Sequence, residues 1–292
     1  MMKHIFLINQ FSLKKQTSKI EQRITSLCKK MNLNYKIEIN SAASSTEDIL
    51  KKYVNSQNII ICVGGDGSIN RTLNMIVNTK NILGYIPLGT GNDFYRTNKE
   101  LLKEGINKID LIKINDKYFI NTACFGIDAD IANTEELVHC NLLPKSQRYN
   151  ISIIKNFMIY KPRHLKLLIN GIEYEDNYNT VVLCNGRYYG GGYKVGTTAL
   201  LDDGYLDIYL AKKTSKIRML KLLLNIKTGK HEFDNSVEKI NAKKVFIESE
   251  TKVKCNMDGE ILESNKFNIE VIPKGIKIYY NQDLINELLD LN

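Results

Sequence analysis

The sequence predicts an α/β domain with a parallel sheet, followed by an antiparallel β-sandwich or barrel. Short β-branched runs alternate with amphipathic helical patterns through the first third of the chain, which is the signature of βαβ units. After about Ile114 helical spacing gives way to short strands separated by turn residues, as in all-β folds. Two glycine turns that carry acids follow strands of the first part: Gly64-Gly65-Asp66-Gly67 and Gly89-Thr90-Gly91-Asn92-Asp93.

Each element has its own reason. Strands are expected at 5–8, 35–39, 59–63 and 84–88, with helices at 18–31 and 46–53. The run at 59–63 is β-branched and too short for a typical helix, so a covered strand fits it best. Behind the first glycine turn, Ile69, Leu73, Ile76 and Val77 fall at i, i+4, i+7 and i+8 and make an apolar helix face. Later strands are expected at 118–120, 165–169, 181–184, 206–210, 244–248, 252–255, 267–272 and 276–280. Asn170-Gly171 between two apolar runs is a strong hairpin turn. Residues 283–291 look helical and are expected to fold back on the first domain. The expected domains are therefore 1–114 with 282–292, and 115–281.

At 292 residues, 43% hydrophobic and 25% charged, the chain has the composition of a soluble globular protein of two domains. Its six cysteines are scattered without a Cys-x-x-Cys pair, which argues for buried reduced thiols in the cytoplasm. The apolar run at the N-terminus is too short for a signal peptide, and no stretch approaches the ~20 apolar residues that span a bilayer. The net charge of +9 favours an anionic partner. Between Ala211 and His231 there are seven Lys/Arg and no acid, interleaved with Leu220, Leu222, Leu223, Leu224 and Ile226. That segment reads either as a packing helix with a solvated basic face or as a helix lying on anionic lipid. Nucleic acid is not an expected partner, because net charge alone points to it.

The glycine turns carry the chemistry. A glycine turn feeding a helix presents backbone N–H groups and suits a phosphate. Asp66 would repel that phosphate unless a cation or a proton transfer involves it, and a nucleoside triphosphate with Mg²⁺ resolves the conflict. The alternative is an ordinary turn with Asp66 or Ser68 as N-cap. No Gly-Lys-Ser/Thr follows, so this is not a Walker A loop. The second turn leaves the same sheet edge, where open parallel sheets bind ligands. Leu201-Asp202-Asp203-Gly204 and Asp258-Gly259-Glu260, taken alone, read as hairpin turns.

Together, GGDGSIN, PLGTGND, GGG, LDDG and DGE in this order resemble the bacterial diacylglycerol kinase and lipid kinase family, related to sphingosine kinase and NAD kinase. The resemblance implies an NAD-kinase-like α/β domain that carries ATP, then a β-sandwich domain, with a lipid site between them. It implies Mg²⁺-dependent transfer of the γ-phosphate to a lipid hydroxyl, diacylglycerol giving phosphatidic acid. By position it puts phosphates on Gly64, Gly65, Asp66, Gly67, Ser68, Ile69 and Asn70, with Thr90 also touching nucleotide. Asn9 and Ser12 fall in the family's first nucleotide loop, and Ser41 matches a threonine after the second strand. Glu260 matches the proton acceptor, with Asp66 as rival base. Asp66, Asp93, Asp110 and Asp258 match acids around a catalytic Mg²⁺. The Asp203 side chain with the carbonyls of Leu200 and Tyr205 would hold a second, structural Mg²⁺.

The chain departs from the family pattern in its first loop, Asn9-Gln10-Phe11-Ser12-Leu13 for Asn-Pro-x-Ser-Gly, and at Ser68, where threonine is usual. Gly196 stands where proline is common, and the stretch from Asp93 to Asp110 is short. Two rival readings are an NAD-kinase-like phosphotransferase on a soluble acceptor and a non-catalytic nucleotide or lipid binder. The kinase reading places the protein at the cytoplasmic membrane surface as a peripheral protein, and it leaves a homodimer open.

Overall fold

A computed structural model describes residues 2–13, 16–126 and 160–289. Cys140, the middle of the second expected domain (127–159) and the expected helix beyond 289 lie outside the described residues. Strands β1 (Lys3–Asn9), β2 (Tyr35–Asn40), β3 (Asn58–Gly64) and β4 (Ile82–Pro87) pair in parallel in the order β2-β1-β3-β4. β3 and β4 are buried along their whole length, as apolar strands covered on both faces should be.

Alternation along β1 assigns the two faces. Ile5 and Leu7 join a core with Ile49 and Leu50 of α3 (Thr46–Lys51) and Ile69, Leu73 and Ile76 of α4 (Asp66–Ile76). Phe6 and Ile8 face the other way, toward Ile20, Ile24 and Leu27 of α2 (Thr17–Lys30). The last helix, α7 (Gln282–Leu289), adds Leu284, Ile285 and Leu288 to that second core. Arg23 and Lys30 of α2 both reach Glu287, each at 3.1 Å. The C-terminal helix thus returns to the first part of the chain. The segment expected as a first loop instead forms a helical turn, α1 (Gln10–Leu13).

The later half is antiparallel. β7 (Thr122–Gly126), β9 (Ile172–Cys184), β12 (Leu206–Lys212) and β13 (Val237–Ala242) lie side by side. β8 (Arg163–Ile169) pairs with β9 through a hairpin whose Asn170 and Gly171 sit at φ 52° and 82°. β10 (Tyr188–Tyr189) and β11 (Tyr193–Lys194) form a small ribbon of their own. The runs expected separately at 244–248 and 252–255 belong to one strand, β14 (Lys244–Met257), which shifts register between Glu248 and Val253.

The runs at 267–272 and 276–280 likewise belong to one strand, β15 (Glu260–Tyr280), 21 residues long. Its first part pairs antiparallel with β14, and its end pairs parallel with β4 through Ile278 and Leu83. The 276–280 run, expected in the antiparallel half, therefore extends the parallel sheet. The reason is packing: Ile276 and Ile278 join the first core beside Ile109 and Leu111 of β5 (Gly105–Ile114). β5 has no counterpart among the expected strands, and β6 (Lys117–Phe119) pairs back on it. Among the described residues, thirteen strands form one sheet running through both halves. The cysteines among the described residues, Cys28, Cys62, Cys124, Cys184 and Cys255, are free and buried.

A carboxylate holds the junction of β15 with β5. β15 shifts register between Ile272 and Ile276, and Lys274 there sits at φ 52°. Asp110 of β5, fully buried, takes the Lys274 N–H on Oδ1 at 2.7 Å and the Gly204 N–H on Oδ2 at 2.6 Å. Its own N–H donates to the Leu201 carbonyl at 2.6 Å. Asp110→Ala leaves two buried N–H groups without partners, at ~1–3 kcal/mol each. Thermal unfolding of Asp110→Ala should therefore show a midpoint lowered by several degrees; an unchanged midpoint would remove this role.

Candidate active site

The GGDG and GTGND turns lie back to back at the carboxyl edge of β3 and β4. An added Cβ on Gly89 would stand 2.4 Å from the Gly65 Cα and 3.0 Å from its nitrogen. Only glycines allow backbones that close. The Leu88 N–H donates to the Gly64 carbonyl at 3.0 Å and closes the pair. Asn92 folds the second turn: its Oδ1 accepts the Gly89 N–H at 3.1 Å, and its Nδ2 donates to the carbonyls of Pro87 and Gly89 at 3.1 and 2.8 Å. Asn92 itself sits at φ 54°, a conformation asparagine tolerates better than most residues.

Asp66 joins the two turns. Its Oδ2 accepts the Asp93 N–H at 3.1 Å and its Oδ1 the Phe94 N–H at 3.2 Å. These are the first N–H groups of α5 (Asp93–Leu101), so Asp66 meets the positive end of that helix. Burial, and then the negative charge of Asp93, push the Asp66 carboxyl above its ordinary range, against the pull of those N–H groups. Asp93 in turn accepts the Gly191 N–H at 2.8 Å and pairs with Arg96 at 3.2 Å. Gly190, Gly191 and Gly192 are all at positive φ, a path other residues would strain to follow. Arg96 also donates to the Gly91 carbonyl.

Asp258 closes the site from the second half. It sits at φ 48° between β14 and β15 and is buried. Oδ1 accepts the Thr122 N–H at 2.8 Å and the Asn121 N–H at 3.2 Å, while Oδ2 accepts the Ile120 N–H at 2.9 Å. Burial outweighs these bonds and lifts its pKa to about 6, with Asp66 adding a smaller push. Glu260 is placed differently. It is partly exposed, and its Oε1 bonds Arg71 of α4 at 2.8 Å, close to where a Gly67 side chain would stand. Among the described residues its partner is this guanidinium and no backbone N–H, in contrast to Asp66 and Asp258.

These groups line one cavity of about 1650 Å³. Its first end holds Asn9, Gly65, Asp66, Gly67, Ser68, Arg71, Thr90 and Asp93; Asn121, Thr122, Asp258 and Glu260 follow. Asn9 donates to the Ser68 hydroxyl at 2.8 Å, so the end of β1 and the start of α4 are tied together. The rest of the cavity is mostly apolar, with Asn179, Thr180 and His231 among its lining. Val182 of β9, Val195, Tyr209 of β12, and Met219, Leu222, Leu223 and Ile226 of α6 (Lys216–Ile226) line it.

Several expected residues lie elsewhere. Gly64 ends β3, Ile69 is in the core, and Asn70 turns away to bond the Tyr118 carbonyl at 3.0 Å. None of these three side-chain positions lines the cavity. Ser41 follows β2 on the same sheet edge, where it bridges to Ser44 and lies outside the lining. Ser12 falls in α1, and its side chain lies outside the described residues.

The structure also does not bring Asp110 to Asp66 and Asp93: its oxygens are held by the β15 bulge and the Gly204 turn. It stands near Asp203 instead. Burial raises the Asp203 carboxyl, and the charges of Asp110, Asp207 and Asp202 raise it further. Asp203 Oδ1 accepts the Tyr205 N–H at 2.9 Å, and the Leu200 and Tyr205 side chains beside it are exposed. Among the described residues no three His, Cys, Asp or Glu side chains converge closely enough to hold a metal by themselves. Arg71, Arg96, Asn121 and Thr122 were not anticipated. Arg71 had a signal, standing four residues after Gly67 on the same helix face; Asn121 and Thr122 had none.

Residues 3–117 match the family described as "Diacylglycerol kinase catalytic domain", and residues 121–280 match "YegS C-terminal NAD kinase beta sandwich-like domain". The second match alone spans more than half of the chain. A Staphylococcus carnosus (strain TM300) protein named "Putative lipid kinase" is 24% identical over 289 residues, 93% of each chain. A Shewanella frigidimarina (strain NCIMB 400) protein named "Probable lipid kinase YegS-like" is 28% identical over 233 residues, 75% of each. Among solved structures, "Crystal structure of a putative diacylglycerol kinase from Bacillus anthracis str. Sterne" superposes with a TM-score of 0.73 at 23% identity, covering 96% of each chain. That likeness speaks to the fold.

Two tests address this geometry. Gly89→Ala forces the glycine turns apart and should lower stability by ~1–3 kcal/mol in thermal or urea unfolding, as overpacking does; a neutral substitution would refute the close approach. For Asp258 the folded pKa of about 6 lies above the ordinary 3.8. The folded state therefore holds the proton more tightly, and stability falls as pH rises through that window. Relative to Asp258→Asn, the wild type should lose on the order of 3 kcal/mol between pH 4 and 7. Parallel pH profiles of urea unfolding would contradict the buried, raised carboxyl.

Proposed function

This chain belongs to the diacylglycerol kinase and YegS-like lipid kinase family, and from that we propose that it is an ATP- and Mg²⁺-dependent kinase acting on a lipid hydroxyl. The acceptor that suits it best is diacylglycerol, with phosphatidic acid as product. One observation carries the proposal: a single cavity is lined both by the glycine cradle with Asp258 and Glu260 and by a mostly apolar chamber from the second half. A soluble acceptor such as NAD gives no use for that chamber.

Charge argues for the metal. Arg71 is the one Lys or Arg among the described cavity-lining residues, against Asp66, Asp93, Asp258 and Glu260. A triphosphate entering this lining needs a divalent cation to offset the repulsion. Mg²⁺ is commonly held by one or two carboxylates together with phosphates and waters, and Asp66, Asp93 and Asp258 fit that use better than a closed protein cage. Bound there, it would neutralise the charge shared between the β- and γ-phosphates. A second cation would be held by the Asp203 side chain with the Leu200 and Tyr205 carbonyls.

The residues then divide the work. The Gly65 and Gly67 N–H groups at the start of α4 receive phosphate oxygens. The Ser68 N–H is given to the Gly65 carbonyl at 3.0 Å, so Ser68 offers its hydroxyl, with Asn9 and Thr90 bordering the nucleotide. The lipid oxygen attacks the γ-phosphorus, the bond to the bridging oxygen breaks, and ADP leaves with the electron pair. Glu260 takes the hydroxyl proton. Asp66 is the weaker candidate for base because both of its oxygens already accept backbone N–H groups. Peripheral contact with an anionic membrane follows from a substrate that resides there; among the described residues no helix is long and apolar enough to cross a bilayer.

Purified protein with labelled ATP, Mg²⁺ and mixed micelles of diacylglycerol, monoacylglycerol, ceramide or sphingosine tests the proposal. Label should enter one lipid, and Glu260→Gln should lower turnover ~10²–10⁴-fold while ATP binding persists. Near-normal turnover in Glu260→Gln would remove Glu260 as base. An absence of label in every lipid, with ATP still bound, would overturn the lipid acceptor.

A further inference from the structure

α6 carries two apolar stripes, and the cavity uses only one. Met219, Leu222, Leu223 and Ile226 face the chamber. Ile217, Leu220 and Leu224 recur at i, i+3 and i+7 on the other side and are 84%, 49% and 63% exposed. Phe233, in the 3₁₀ turn Lys230–Phe233 that packs beside α6, is 80% exposed. Four large exposed hydrophobes in so short a stretch are uncommon on a soluble monomer unless something covers them.

The charges around them limit what that cover can be. Lys213, Lys221, Lys227 and Lys230 are exposed around the stripe, and none has an acidic partner among the described residues. Lys227 lies instead over the Tyr193 ring at 5.4 Å. Arg218, by contrast, is tied to Asp234 at 2.6 Å. A stripe of leucine, isoleucine and phenylalanine bordered by unpaired lysines complements a surface that is apolar beneath an anionic skin. A second copy of this chain would bring the same lysines against themselves.

We infer that α6 and the following 3₁₀ turn dock the protein on an anionic phospholipid surface. Ile217, Leu220, Leu224 and Phe233 enter the acyl boundary, and Lys213, Lys221, Lys227 and Lys230 lie at the headgroups. The inference rests on the lipid kinase reading for its purpose, because the opposite stripe of the same helix walls the chamber proposed for the acyl chains. Docking through α6 sets that chamber against the membrane that holds the substrate.

The test is flotation of the full chain with vesicles of phosphatidylcholine alone, or with a third of the lipid replaced by phosphatidylglycerol. Wild type should float with the anionic vesicles and be released by salt. Ile217→Ser/Leu224→Ser and Lys221→Glu/Lys230→Glu should each weaken flotation at least ~10-fold with unchanged thermal unfolding. These positions are exposed, so the fold should tolerate them. Both variants should phosphorylate a monomeric short-chain diacylglycerol like the wild type. Wild-type flotation by either variant overturns the docking surface, and so does failure of the wild type to float. A wild-type dimer in light scattering that Ile217→Ser/Leu224→Ser dissociates would also overturn it, in favour of a self-interface. Salt-sensitive flotation lost in the variants, without kinase turnover in any form, would uphold the surface and defeat the kinase reading.

Discussion

The close contact of two glycine turns is the constraint on which the site depends. Gly65 and Gly89 bring the ends of β3 and β4 together at a distance no side chain permits. That approach lets Asp66 cross from one turn to the first N–H groups of α5. The placement of α5 then fixes Asp93, which holds the Gly191 N–H, and Arg96, which packs over Gly192. A chain of backbone bonds thus runs from the first turn to the glycine run of the second half. Few of these links use one side chain against another, so the geometry is set mainly by the backbone and by short side chains.

Carboxylates in this molecule fall into two physical roles. Asp110 and Asp258 are buried and Asp66 is partly so, and each accepts two or three backbone N–H groups. They work as joints: Asp66 between turns, Asp110 at the β15 bulge, Asp258 between the β14–β15 turn and the entry to β7. Burial raises the Asp66 and Asp258 carboxyls, so these two joints hold their charge at a cost. Glu260 stands apart, half in solvent and held by one guanidinium. A side chain whose only partner is an exposed cation can exchange it, whereas a joint cannot move without loosening the backbone around it.

Much of this was legible in the sequence, for identifiable reasons. Alternating strand and helix periods in the first third, and β-branched runs with turn signals later, fix element type because the periods differ. The glycine turns were legible because several glycine- and acid-bearing motifs stand in one order along the chain, whereas each alone reads as an ordinary turn. What the sequence could not carry was pairing. The period of the 276–280 run is the same whether it lies beside β14 or β4, and Ile276 and Ile278 declare their core only once β5 is in place. Asp110 was matched to the metal site by order along the chain. Its real neighbours, Gly204 and Lys274, lie 94 and 164 residues away.

The same limit explains α6. Its residues alternate between two apolar stripes, so the pattern from Ala211 to His231 supports a packing helix and a surface helix equally well. Both readings are open in the sequence, and the structure has one stripe packed on the chamber and the other exposed. A helix with one apolar stripe buries it and presents a polar back. A helix with two must either sit inside a core or stand at a boundary between two apolar media. α6 is not inside a core, since Ile217 and Leu224 are exposed while Met219 and Leu222 are buried. It stands with a chamber on one side and the outer surface on the other. A helix whose second apolar stripe faces outward, with lysines at its margin, has the composition of a boundary element. That is why neither a soluble-core rule nor a membrane-span rule accounts for it alone.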